Sequence, residues 1–129
     1  MSGRWLLVCG RVDRPLDAHV LTDDEIRAHS SSKRPSVQPG DGAILYAAVW
    51  QVVFAVAEVT GEPENDRSLT RWAWRFPIHP VAVVDDLERA PPVEAAGIFP
   101  HSVWRHSHIR LVPEQFDAAR ELIVAAARD

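Results

Sequence analysis

Val37 to Pro63, VQPGDGAILYAAVWQVVFAVAEVTGEP, constrains the fold of this chain more than any other stretch. It starts with Pro39-Gly40-Asp41-Gly42 and then carries no charge until Glu58. Proline presets φ for a turn and glycine accepts positive φ, so the chain is expected to reverse just before Ala43. Ala43 to Val49 and Gln51 to Thr60 are small, β-branched or aromatic residues, the composition of buried strands. With about one residue near Trp50-Gln51 left for the tip, the pattern predicts a tight hairpin with long arms. Arms this apolar need cover on both faces, and the rest of the chain must supply it.

The remaining segments fit that role. Arg4 to Cys9, RWLLVC, is a short apolar run ended by Gly10 and reads as a first strand. Gly10 to Ala18 reads as loop. Thr22 and Glu25 have capping-box spacing, which predicts a short helix through His29. Ser30 to Pro35 reads as loop, and Gly61 to Leu69 as a polar connection. From Arg71 to Val84, Trp72, Trp74, Phe76 and Ile78 alternate with Arg71, Arg75 and His79, a period-two strand. Pro77 and Pro80 predict that this strand bends or runs at an edge. Asp85 to Gly97 holds a short helix or turn around Pro91-Pro92, and Ser102 to Leu111 reads as a strand pair or an extended crossing. Pro113 and Glu114 open a final helix, whose stripe Phe116, Ala119, Leu122, Ile123 and Ala126 should pack on the sheet. The pattern predicts one α+β domain over residues 1–129: a small, mostly antiparallel β-barrel with short flanking helices and a C-terminal helix. Barrel closure would hide the edges of so apolar a hairpin.

Composition narrows the function. The chain is 47% hydrophobic and 25% charged, as ordinary globular proteins are. It contains no apolar run of the roughly 18 residues a membrane span requires, and no signal-peptide layout. One cysteine, Cys9, excludes an internal disulfide and points to a reducing, cytoplasmic setting. The formal charge of −4 argues against broad, non-specific nucleic-acid binding. It leaves room for a local patch built from Arg71, Arg75, Arg105, His106, His108 and Arg110. There is no phosphate-cradling glycine loop, nucleophile elbow or HExxH. His101, His106 and His108 lack nearby cysteine or acidic ligands, so no metal or other cofactor is expected.

The pieces in order carry a resemblance. Trp5-Leu6-Leu7, then Val37-Gln38-Pro39-Gly40-Asp41 leading into Ile44-Leu45-Tyr46, are followed by Ala55 to Pro63, AVAEVTGEP. Ser102-Val103-Trp104-Arg105 and Arg110-Leu111 then precede the last helix. Together they resemble the EVE domain of the PUA-like superfamily, which also contains ASCH and YTH domains. The resemblance implies a PUA-like barrel with a surface pocket for a modified or extruded base of DNA or RNA, bound without catalysis. Stacking planes and a few edge donors are what such a base needs. Carried over by position, Cys9, Gly10 and Arg11 form one pocket edge, and Trp104, Arg105 and His106 a second wall. Tyr46 and Trp74 complete the candidate set. The chain departs from many EVE domains in having Val8-Cys9-Gly10-Arg11 after the first strand, and no aromatic between His29 and Ser36. The identity of the ligand therefore stays open, as does a reading as a nucleotide-sensing or other small-molecule module. An ASCH-type hydrolase is a further alternative, but Lys33 is the chain's one lysine and reads as loop. The expected state is a monomer or weak homodimer.

Trp72, Trp74 and Phe76 also read as barrel filling, Cys9 as a buried structural thiol, and Tyr46 as core with a hydroxyl in need of a partner. Trp50 reads either as an exposed contact residue or as a cover for the barrel end. Trp104 has the stronger claim to a pocket because its neighbours are polar.

Overall fold

The computed structural model describes residues 3–10, 15–17, 26–31, 35–66, 68, 74–103, 106 and 108–128. Seven strands lie within them: β1 (Arg4–Cys9), β2 (Ala28–Ser31), β3 (Gly42–Ala47), β4 (Val52–Val59), β5 (Glu64–Asn65), β6 (Trp74–Val83) and β7 (His108–Arg110). A 3₁₀ turn (Val93–Ala96), a short helix α1 (Pro100–Val103) and a long helix α2 (Pro113–Arg128) complete the order. The strands join one sheet in the order β2-β6-β4-β3-β1-β7, with β5 pairing beside β6.

The hairpin is the middle of that sheet. Gly40 takes φ 94°, and Asp41 N–H donates to Gln38 O at 3.0 Å, so the chain reverses where the Pro-Gly pair requires it. Ile44, Leu45, Val53 and Phe54 are fully buried on its arms. Each side chain of this size removed from water is worth about 1.5–3 kcal/mol, and this burial makes the pair the core's spine. The expected one-residue tip is wrong. Ala48 to Gln51 form a four-residue turn in which Gln51 N–H donates to Ala47 O at 3.0 Å. Val49 (φ 75°) and Gln51 (φ 56°) both adopt left-handed backbone there.

Two expectations about pairing change. β1 lies parallel to β3, Arg4 opposite Gly42 through Cys9 opposite Ala47, while the other pairs are antiparallel. The sheet is therefore mixed, and it curls into a half-barrel. Among the described residues no pairing joins β2 to β7, so the described strands form an open half-barrel. The predicted helix through His29 is also shorter than expected. Ile26 and Arg27 are helical, but Ala28 starts a strand that pairs with Pro77 and seats buried His29 5.5 Å from the Phe76 ring. Thr22 and Glu25 lie outside the described residues.

β6 shows how two prolines fit within a sheet. Trp74 to Pro77 pair with β2, and Ile78 to Val83 pair with β4, so the strand changes partners between its prolines. Pro80 stands opposite Ala57, where the β4–β6 register shifts, and a missing N–H interrupts little. The bend predicted from Pro77 and Pro80 is this change of partner. Phe76 and Ile78 point inward, while Arg75, Pro77 and His79 are exposed.

α2 covers the core with Phe116, Ala119 and Ile123 buried, and with Leu122 and Ala126 partly buried beside them. Its start is a half capping box, Val112 N–H donating to Gln115 Oε1 at 3.2 Å. The helix comes so close to β3 that a Cβ on Gly42 would stand 2.7 Å from Phe116 Cζ. Only glycine fits there. The segment from Ser102 to Leu111 is neither a strand pair nor fully extended: α1 ends at Val103, and β7 then pairs with β1.

Candidate functional site

The β1–β7 ladder sets the geometry of the candidate site. Trp5 faces Arg110, Leu6 faces Ile109 and Leu7 faces His108. β1 ends at Cys9, at the start of the loop expected to edge the pocket, and β7 begins at that same end of the sheet, two positions after His106. Arg11, Trp104 and Arg105 lie outside the described residues, as do Arg71, Trp72 and Lys33. Gly10 follows Cys9 with φ 77°, turning the chain off the sheet. His106 is exposed, its N–H donating to Val103 O at 3.2 Å.

The first loop is pinned from beneath by the β3–β4 turn. Ala48 N–H donates to Cys9 O at 2.9 Å, and Trp50 Nε1 donates to Leu16 O at 3.0 Å. Trp50 thus covers the end of the half-barrel. Cys9 is buried in the core with its Sγ 3.8 Å from Leu7 O. Tyr46, opposite Val8, is also buried, and desolvation raises its hydroxyl above the usual tyrosine range. Trp74 does not join this group. It sits half-buried on β6 opposite Ser31 and Asn65, and β4 and β3 stand between β6 and β1 in the sheet.

Asp41, which the sequence presents as part of a Pro-Gly turn and of the family resemblance, organises this end of the fold. Its carboxylate is 4% exposed, so its charge must be met by nearby donors, and three N–H groups meet it. Oδ1 accepts from Gly3 N at 2.8 Å; Oδ2 accepts from Trp5 Nε1 at 2.8 Å and from Gln38 N at 3.0 Å. The Trp5 ring fixed in this way carries the Arg110 guanidinium 5.1 Å from its centroid and meets the His108 ring edge-on at 5.7 Å. Burial, and then the charge of His106, hold the His108 imidazole below its ordinary pKa. The signal was present in the sequence as an acid following a Pro-Gly turn, but its tryptophan partner lies 36 positions away.

The expected basic patch divides. His106, His108 and Arg110 stay together beside β1, in a stretch between Glu94 and Glu114 that contains no acidic residue. Arg75 instead lines an open cleft of about 570 Å³ with Glu62, Glu64, Asn65, Asp66 and Phe76. Hydrogen bonds from the Ser68 hydroxyl and N–H, with a smaller contribution from Arg75, hold the Asp66 carboxyl below the usual range. Three carboxylates against one guanidinium give this cleft the wrong sign for phosphate. Among the described residues no three histidine, cysteine or acidic side chains stand close enough to hold a metal ion, and no helix is long and apolar enough to cross a membrane.

No family model matches the chain, and no curated protein matches it. Solved structures do. Rpa0253 from Rhodopseudomonas palustris is 14% identical with a TM-score of 0.59, over 98% of this chain and 93% of that one. Atu2648 from Agrobacterium tumefaciens is 14% identical with a TM-score of 0.63, over 93% and 92%. Human THYN1, solved in complex with DNA containing 5-methylcytosine, is 11% identical with a TM-score of 0.60, over 99% of each chain. At these identities the likeness is one of fold, and the chain has the curled α+β fold of these proteins.

Proposed function

We propose that this chain is a non-catalytic, EVE-type nucleic-acid-binding domain that reads a modified or extruded base. The pocket lies between the loop that starts at Cys9, Gly10 and Arg11 and the wall formed by Trp104, Arg105 and His106. The observation that carries this reading is the whole-length fold likeness to THYN1, a protein solved with 5-methylcytosine DNA. The antiparallel β1–β7 pairing supports it, because β7 begins at the end of the sheet where β1 finishes at Cys9. Trp104 supplies a stacking plane, and Arg105 and Arg110 supply charge for phosphate. Tyr46 and Cys9 act from below as packing, and Trp74 is left to the opposite side of the sheet.

Fluorescence anisotropy on matched oligonucleotides with cytosine or 5-methylcytosine, single- and double-stranded, at two salt concentrations, tests the proposal. Preference for a modified strand is expected. Trp104→Ala should weaken binding by about 5- to 150-fold, the value of one stacked base. Equal affinity for modified and unmodified strands, together with unchanged binding by Trp104→Ala, would refute it. Stabilisation by free nucleosides alone in a thermal-shift series would favour the small-molecule sensor instead.

A further inference from the structure

Phe99 is 76% exposed, the most exposed large hydrophobic side chain among the described residues. Its backbone is nevertheless fixed. Phe99 O accepts from Ser102 N at 3.0 Å and from Ser102 Oγ at 2.7 Å, which locks the start of α1. Two residues earlier, Gly97 ends the 3₁₀ turn with φ 77°. Gln115 of α2 clamps this turn, its Nε2 donating to Gly97 O at 3.1 Å while its Oε1 holds Val112 N–H. Val112 is itself 52% exposed. One amide thus ties together two chain segments that each present an apolar side chain to water. A ring displayed on a braced backbone loses little freedom when a partner covers it.

The surroundings indicate the chemistry of that partner. Phe99 opens the acid-free stretch between Glu94 and Glu114, whose charged or titratable side chains are His101, Arg105, His106, His108 and Arg110. In a chain of net charge −4, this stretch carries two arginines and no carboxylate, with the three histidines adding charge at lower pH. A polyanion with apolar faces, meaning a nucleic-acid strand with its bases, matches both properties. A second copy of the chain matches less well, because a two-fold contact would set the cationic stretch against itself. The four residues of α1 advance the chain by about 6 Å. That is one to two base steps at about 3.4 Å each, from Phe99 to the end of α1 at Val103.

We propose that Phe99 is a wedge that stacks on, or inserts beside, a base neighbouring the one held in the pocket. The proposal rests on the nucleic-acid reading above and adds a contact outside the pocket. Apolar wedges of this kind partly unstack a base step and lower the cost of extruding the adjacent nucleotide.

The test uses a duplex carrying 5-methylcytosine with 2-aminopurine immediately 3′ to it, and the same sequence as a single strand. Wild-type protein should change the 2-aminopurine emission on binding. Phe99→Ala should abolish that change and weaken duplex binding by about 5- to 150-fold, with the slope of log affinity against log salt unchanged, because no phosphate contact is lost. Phe99→Trp should restore both signals. Full affinity and an unchanged emission signal in Phe99→Ala, with binding still lost in Trp104→Ala, would overturn the wedge and leave the base-reading proposal standing. Failure of the wild type to bind either oligonucleotide would overturn both. Self-association by sedimentation velocity that disappears in Phe99→Ala, with DNA binding unaffected, would also overturn the wedge and assign the ring to a second copy.

Discussion

Replacing Asp41 by alanine should be among the most damaging single changes this protein can suffer, and its cost follows from the hydrogen bonds at that carboxylate. Asp41 accepts from Gly3 N, Trp5 Nε1 and Gln38 N, at 2.8, 2.8 and 3.0 Å. Removing the acceptor leaves the first two donors buried without it. Gln38 is exposed, and its N–H can turn to water. Each orphaned buried donor costs about 1–3 kcal/mol, so with two of them Asp41→Ala should lose about 2–6 kcal/mol, beyond most surface changes. Asp41→Asn keeps the shape but not the chemistry. Whichever way the amide turns, its NH₂ faces either Gly3 N–H or the pair from Trp5 and Gln38. The amide should settle with its oxygen toward the pair, at a cost of about 1–3 kcal/mol. Urea unfolding, with the m-value held constant, gives these numbers directly. A double-mutant cycle sharpens the test: Trp5→Phe removes the indole donor, so Asp41→Ala should cost about 1–2 kcal/mol less in that background. A loss below about 1 kcal/mol for Asp41→Ala, or additivity within about 0.5 kcal/mol, would refute the role given to this carboxylate.

Other expectations follow from close contacts, protonation and backbone conformation. Gly42→Ala should destabilise by about 1–3 kcal/mol by forcing a Cβ against the Phe116 ring, and Gly42→Ala combined with Phe116→Leu should recover part of the loss in the same urea assay. His108 has a folded-state pKa below its unfolded value, so its neutral form contributes stability that is present above about pH 6.5 and lost as pH falls through the lower folded value. His108→Gln should flatten the stability–pH curve in that acidic window, and an unchanged curve would count against the half-buried imidazole as its source. Val49→Asn should stabilise by up to about 1 kcal/mol, because asparagine tolerates the left-handed backbone that a β-branched residue resists; a lower melting temperature would contradict this.

The hairpin, the first strand, the last helix and the proline-bent strand were legible because each is a local pattern: an apolar run, a turn dipeptide, a stripe of period 3.6. What was missed depends on distant partners. That β1 runs parallel to β3 cannot be read from RWLLVC, whose apolar run suits either direction. His29 becomes a strand residue because Phe76, nearly fifty positions later, gives it a place to pack. Residue type groups Trp74 and Tyr46 with Cys9 and His106, but sheet order places two strands between Trp74 and β1, and Tyr46 is buried in the core. Asp41 reads as a turn residue until Trp5 is set beside it.

The parallel pairing of β1 with β3 also has a temporal consequence. β1 precedes the other described strands in the chain, yet its ladder partners are β3 and, far later, β7. Its apolar residues must wait through more than thirty positions of synthesis before Gly42–Ala47 emerges, and through most of the chain for the second edge. The β3–β4 hairpin closes over a few residues and carries little loop entropy, so it is expected to form before β1 pairs with β3. β1 is then the described strand left longest with its apolar residues unpaired.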